Sequence, residues 1–155
     1  MDLKSASRPW PDIELPTASG NGTYTLTARP RWSLVVVFLH GFDCEDCVHF
    51  LQELEEVQAD LTEWDAQIAV VLKRISDNAR MPELAPTIQV LVDAEHMFES
   101  AAHVVAPAVL VVDQWRDVRE SWEAGESHRF PAVSELVSWA RFLATQCPEC
   151  EGESL

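Results

Sequence analysis

The four cysteines of this 155-residue chain form two C-x-x-C pairs, Cys44/Cys47 and Cys147/Cys150. Two thiols at this spacing can come together on one helical turn, where they either exchange a disulfide or bind a metal. In a reducing compartment the pattern indicates redox chemistry or metal binding more than a structural disulfide. The first functional hypotheses therefore concern these two pairs of cysteines.

The first pair stands between a predicted buried strand and a predicted helix. The run from Leu34 to Leu39 is short, continuous and branched, which is typical of a strand buried on both faces. A helical apolar stripe follows from Cys47, with Asp43 as its predicted N-cap. Unpaired N–H groups at a helix start stabilise a thiolate, so we predict that Cys44 attacks a disulfide and that the more buried Cys47 resolves the mixed disulfide.

Three carboxylates surround this pair: Asp43, Glu45 and Asp46. The helix terminus favours a thiolate by roughly 0.3 to 2 kcal/mol. Each anion opposes it by about 1 kcal/mol at about 4 Å, even in water. We therefore expect these carboxylates to tune the pair toward a more reducing potential and a slower attacking thiol.

The remaining pattern predicts alternating strands and helices. Further strands are predicted at residues 13–15, 23–26, 68–72, 88–92, 108–112 and 118–122, and helices at 47–64, 93–104 and 131–146. In the helix over 93–104, the inward residues are predicted to be Met97, Ala101 and Val104. This order argues for an α/β fold with a mixed sheet. We predict one domain over residues 1–146, followed by an acidic tail over 147–155.

Several segments together resemble the thioredoxin fold, and most nearly its redoxin branch of alkyl hydroperoxide reductase/thiol-specific antioxidant and thiol reductase proteins. The segments are the Cys44-x-x-Cys47 step from strand to helix and residues 11–16, 88–93 and 104–109. The resemblance covers about residues 11–145. It implies a three-layer fold whose mixed central sheet is flanked by helices, with an N-terminal β-hairpin as an extension.

The resemblance also implies a substrate-binding side. The peptide bond before Pro107 is expected to be cis and to lie beside the C-x-x-C pair. Pro107 would then form a wall of the substrate site, and the backbone of Ala106 would be the docking edge for a substrate peptide. Phe42, which precedes the pair by two residues, is a further predicted substrate contact.

The sequence departs from the thioredoxin pattern at two positions. The tryptophan that usually precedes the first cysteine is replaced by Asp43. The buried acid that assists proton transfer in many thioredoxins would fall at Phe38, which has no carboxylate. His40 is near enough in sequence to be a substitute, but a simple histidine in the core or at its rim is the favoured interpretation.

Composition limits the partners. The chain has 11 basic and 26 acidic residues, a formal net charge of −15. Binding to nucleic acid or to an anionic membrane requires basic residues, so both partners are disfavoured. Apolar runs are far shorter than a membrane span, and the first residues show no signal peptide, which predicts a cytoplasmic location. The expected partners are a protein disulfide and a dithiol electron donor, with no organic cofactor.

Other functions stay open. A peroxidase would need Pro-x-x-x-Thr/Ser-x-x-Cys, and neither Cys44 nor Cys47 follows that pattern. A zinc site of all four cysteines is disfavoured because the final helix would carry Cys147 and Cys150 about 22 Å from the redox end of the sheet, so no metal is predicted. The second pair is either inert or has a redox or metal role. A redox-inactive docking module is the last alternative.

Overall fold

The computed structural model describes residues 10, 14–20, 22–25, 32–73, 83–95, 97–125 and 129–146. In chain order the elements are β1 (Glu14–Pro16), β2 (Thr23–Thr25), β3 (Ser33–Leu39), α1 (Glu45–Glu56), α2 (Gln58–Glu63), β4 (Ala66–Leu72), β5 (Ile88–Val92), α3 (Met97–Ala102), β6 (Ala108–Val112), β7 (Val118–Glu123) and α4 (Val133–Ala144).

The main sheet is mixed, as predicted. Its strand order is β5-β4-β3-β6-β7. β3 pairs in parallel with β4, and β4 pairs in parallel with β5, whereas β6 and β7 run antiparallel to their neighbours. β1 and β2 form a separate antiparallel hairpin. The predicted α/β class and the N-terminal hairpin are both confirmed.

β3 is the middle strand, and all of its residues are buried. Val35, Val37 and Leu39 face a core that also contains buried residues of α1 and α4. The alternate residues face a second core with Trp10 and the buried residues of α3. Apolar side chains are therefore required on both faces of β3, which explains its continuous apolar run.

Three local predictions need correction. The N-cap of α1 is Cys44 and not Asp43, and the predicted long helix is divided at Val57 into α1 and α2. The helix in the segment 93–104 begins only at Met97, which is 55% exposed. Its later start shifts the inward face to the residues Phe98, Glu99 and Ala102, although Val104 is buried as predicted.

The two ends of β3 carry different groups of residues. β3 ends at Leu39, just before the first C-x-x-C pair. At its beginning, Ser33 shares a shallow cleft with Trp32, Trp64 and Gln146. Seven extended residues span about 20 Å, so Gln146 lies far from Cys44. Trp32 and Trp64 line the same cleft, so they too lie at the opposite end of β3 from the first C-x-x-C pair.

No helix within the described ranges has the length and apolar character needed to cross a membrane.

Candidate redox site

Cys44 and Cys47 lie at the junction of β3 and α1. Cys44 is the N-cap residue, with extended backbone angles (φ −98°, ψ 114°), and its carbonyl accepts the Val48 N–H at 3.0 Å. Cys47 is in the first turn of α1 and points into the core. Cys44 is half-buried, Cys47 is 0% exposed, and both are free thiols. Only the first thiol is thus accessible to a substrate.

The sulfur of Cys47 lies against the backbone that follows β3. It is hydrogen-bonded to the backbone of His40 and Gly41 and to the thiol of Cys44. Burial raises the pKa of Cys47 to about 12, and the hydrogen bond and charge of Cys44 raise it as well. The backbone hydrogen bonds act in the opposite direction because they stabilise a thiolate. Cys47 therefore keeps its proton at neutral pH.

The three carboxylates next to the pair, Asp43, Glu45 and Asp46, are all exposed. Glu45 and Asp46 occupy the first turn of α1, where acidic residues are favourable to the helix. Their exposure places them in solvent, where their effect on a nearby thiolate is screened by salt. The predicted tuning by these residues stays a prediction.

The Ala106–Pro107 bond is cis, as the resemblance implied. In the antiparallel pairing of β3 with β6, Phe38 is opposite Ala108. Continuing this register by one residue places Pro107 opposite Leu39, at the end of β3. The cis-proline and the backbone that binds the Cys47 sulfur therefore share one edge of the sheet.

His40 completes a cluster at this edge. A ring nitrogen of His40 and the Sγ atoms of Cys44 and Cys47 all lie within 4.8 Å of one another. His40 is half-buried. After a small side-chain rotation, or through one water, a histidine this close can exchange a proton with a thiol, and it can also share a metal ion with it.

No protein-family model matches this chain, and no curated protein does. Many solved structures do match. A Chlorobium tepidum protein described as a thiol:disulfide interchange protein, DsbE, is 15% identical with a TM-score of 0.63, the match covering 88% of this chain and 94% of that one. Peroxiredoxin Q of Xanthomonas campestris is 16% identical with a TM-score of 0.69, covering 94% and 98%. The exposed lipoprotein thioredoxin of Streptococcus pneumoniae is 16% identical with a TM-score of 0.62, covering 83% and 99%. The chain has a thioredoxin-like fold.

In this thioredoxin-like chain, the backbone N–H of Ala106 is not open for docking. It donates to the buried carboxylate of Glu99, whose other oxygen lies 3.8 Å from Lys73 Nζ. The preceding N–H, of Val105, donates to Glu123 Oε2 at 3.2 Å. Sequence reasoning missed Glu99 and Glu123. The sequence did contain a signal for Glu99, because it stands next to the apolar residue Phe98, which is buried. The prediction instead placed Met97 on the inward face of the helix, and this assignment left Glu99 outside that face.

Two aromatic residues of the thioredoxin-like site are largely inaccessible. Phe42 is 6% exposed and packs in the same core as Cys47, so only a small part of it can meet a substrate. Phe38 belongs to the opposite core, where its ring centroid is 6.0 Å from that of Phe98. The exposed apolar side chain beside the cis-proline is instead Val105, at 66%.

The second pair, Cys147 and Cys150, lies outside the described residues. Gln146, the last described residue before it, belongs to the cleft at the opposite end of the sheet from Cys44. The argument against a four-cysteine zinc site within one chain stays a prediction, because both of these cysteines lie outside the described residues.

Proposed function

We propose that this protein is a thiol–disulfide oxidoreductase that uses Cys44 as the nucleophile and Cys47 as the resolving thiol. The observation that carries the proposal is the pairing of an accessible thiol with a fully buried one at the start of α1. The cis Ala106–Pro107 bond at the same sheet edge supports it. The solved structures with this fold include a protein described as a thiol:disulfide interchange protein.

The reaction transfers two electrons. The Cys44 thiolate attacks one sulfur of the substrate disulfide, forms a mixed disulfide and releases the other substrate sulfur, which takes up a proton. Cys47 then loses its proton and attacks the Cys44 sulfur, which releases the second substrate thiol. The substrate disulfide has been reduced and the Cys44/Cys47 pair oxidised. A dithiol electron donor restores the pair by the reverse sequence.

Resolution requires deprotonation of a thiol whose pKa is about 12. We assign this role to His40, whose ring nitrogen lies within 4.8 Å of the Cys47 sulfur. The backbone hydrogen bonds from the His40–Gly41 segment stabilise the thiolate as it forms. His40 would thus replace the buried acid that is absent at Phe38.

The charge near Cys44 suggests the direction in which the pair transfers electrons. The exposed carboxylates Asp43, Glu45 and Asp46 place like charge beside the pair, and removing negative charge from the two sulfurs by forming the disulfide relieves that repulsion. We therefore propose that the pair acts as a reductant toward protein disulfides, in the cytoplasm. An exposed Val105 beside the cis-proline offers an apolar contact for a protein substrate.

A peroxidase is the second candidate, because peroxiredoxin Q shares the fold. In that reaction the Cys44 thiolate attacks a peroxide oxygen, an alcohol or water leaves, and Cys47 condenses with the resulting sulfenic acid to form a disulfide. The positions that would hold the peroxiredoxin proline and threonine relative to Cys44 are Val37 and Gly41, which provide no polar side chain for a peroxide.

The decisive experiment is the reduction potential of Cys44/Cys47 in a Cys147→Ser/Cys150→Ser background, measured with a chelator present. Equilibration with dithiothreitol buffers should give one two-electron transition near or below about −270 mV. Absence of any disulfide across the range would reject the oxidoreductase. Rapid Cys44-dependent consumption of hydrogen peroxide, without reduction of protein disulfides, would favour the peroxidase.

A further inference from the structure

The cluster of His40, Cys44 and Cys47 has the donor set of a metal site. It offers one imidazole nitrogen and two sulfurs, which all lie within 4.8 Å of one another. In a tetrahedral zinc site, ligand bonds of 2.0 to 2.3 Å place neighbouring ligand atoms about 3.5 to 3.8 Å apart. Small side-chain rotations, of about 1 Å at the ligand atoms, would bring the three groups to that spacing.

The environment also suits a metal thiolate. The backbone hydrogen bonds from His40 and Gly41 to the Cys47 sulfur stabilise negative charge on it. Hydrogen bonds to ligand atoms orient such ligands and tune the metal. A metal cation also removes the cost of burying a thiolate, because it supplies the opposite charge directly.

Surrounding charge favours a cation over an anion. Asp43, Glu45 and Asp46 are exposed next to the cluster, and the whole chain carries a formal charge of −15. Such a field raises the local concentration of cations. Cys44 is only half-buried, so a fourth ligand position on its side is accessible to water.

We propose that the reduced protein binds one Zn²⁺ through His40, Cys44 and Cys47, with water as the fourth ligand. Binding releases the two thiol protons and leaves a site of no net charge, because two thiolates balance Zn²⁺. No electron is transferred. This site differs from the four-cysteine site, since it needs only residues at the end of β3 and the start of α1.

Zinc and the disulfide exclude each other, because each uses both sulfurs. Zinc would therefore hold the pair in its reduced form and block its attack on substrates. The site itself depends only on the cluster geometry. Its regulatory consequence rests on the proposed redox function, which is tested separately under chelating conditions.

The test is a titration of the reduced Cys147→Ser/Cys150→Ser protein with Zn²⁺ in competition with a chromophoric chelator, and with Co²⁺ as a spectroscopic probe. One ion per chain is expected, with Co²⁺ giving intense tetrahedral bands and thiolate charge-transfer absorption. The disulfide form should bind none. His40→Ala should lower the affinity at least tenfold, whereas the matched control His49→Ala, at an exposed histidine on α1, should not change it.

Two outcomes would overturn the site: the chelator retains all the zinc, or His40→Ala binds as tightly as the parent. Circular dichroism of each variant checks folding, and Cys44→Ser gives a second ligand variant at an accessible position. Binding that occurs in the full chain and disappears in the Cys147→Ser/Cys150→Ser background would assign the metal to the second pair and also reject this site. A normal reduction potential without zinc binding would leave the oxidoreductase intact.

Discussion

The carboxylate of Glu99 accepts a hydrogen bond from the backbone N–H of Ala106, the residue before the cis-proline. The same carboxylate lies 3.8 Å from Lys73 Nζ, and Lys73 immediately follows β4. Glu99 therefore connects α3, the end of β4 and the loop that forms one side of the redox site. Its backbone N–H is in turn bound by Asp93 Oδ2 at 2.9 Å.

Removing this carboxylate should destabilise the protein. Glu99→Ala leaves the buried Ala106 N–H without its acceptor, which costs about 1 to 3 kcal/mol. Glu99→Gln keeps an acceptor oxygen and should cost less. Urea unfolding measures the free energy of unfolding of both variants. The control is Glu95→Ala, at an exposed glutamate four residues earlier, which should change the free energy of unfolding by less than about 0.5 kcal/mol. Equal stability of Glu99→Ala and wild type would refute the structural role.

The carboxylates beside the pair should slow the attack of Cys44. In the Cys147→Ser/Cys150→Ser background, a variant with Asp43→Asn, Glu45→Gln and Asp46→Asn should react with uncharged iodoacetamide at least about fivefold faster at pH 7. Even one anion at about 4 Å costs a thiolate about 1 kcal/mol, and this variant removes three. Peptide mapping should find the label on Cys44, because the background lacks Cys147 and Cys150 and Cys47 is fully buried. The control variant, Glu53→Gln, Glu55→Gln and Glu56→Gln, removes the same charge farther along α1. If both variants react at the same rate, local tuning is wrong.

The reduced protein should lose stability at high pH through Cys47. Its pKa is raised to about 12 in the fold, against 9.0 for an unperturbed thiol. Between these values the unfolded chain binds fewer protons than the folded one, so the free energy of unfolding falls as pH rises, by up to about 1.4 kcal/mol per pH unit.

Urea unfolding at pH 8 and pH 10.5, with reductant and chelator present, measures this loss. Cys47→Ala is the comparison variant, because its other titrating groups are the same and only the Cys47 contribution is removed. Its free energy of unfolding should fall less between the two pH values. Parallel losses in the two proteins would show that the fold does not raise this pKa.

Val105 should matter for protein substrates and not for small ones. Val105→Ser removes an exposed apolar contact beside the cis-proline. The change should lower kcat/KM for insulin reduction at least about tenfold, because fully burying a valine side chain is worth at least about 1.5 kcal/mol. The rate with a small disulfide such as oxidised glutathione should be unchanged. The control is Phe142→Ser, at an exposed apolar residue on α4, which should affect neither reaction. An equal loss with both substrates would argue against docking at Val105.

The features predictable from the sequence are those with short-range causes. Residues 34–39 of β3 and 68–72 of β4 are continuous apolar runs because both faces of the sheet are covered. The cis bond before Pro107 and the C-x-x-C step at Cys44 and Cys47 are features of the thioredoxin pattern, so the resemblance was sufficient to place them.

Features with long-range causes were missed. A glutamate in a predicted helix is normally assigned to the solvent side, whereas in the fold Glu99 is buried in contact with Lys73 and the Ala106 N–H. The break at Val57 was hidden because Leu54 and Leu61 keep helical spacing across it. The N-cap differed by one residue, which is within the usual variation of helix ends.

The middle position of β3 has a consequence for how the two sulfurs move. β3 is hydrogen-bonded to β4 on one side and β6 on the other, so its amides exchange deuterium only when the whole sheet opens. The Cys47 sulfur is hydrogen-bonded to the residues just after this strand, whereas Cys44 is at a helix terminus, where backbone frays. The two halves of one disulfide are therefore held differently: the fully buried Cys47 sulfur stays against the backbone at the end of the central strand, while the half-buried Cys44 sulfur is open to each new substrate.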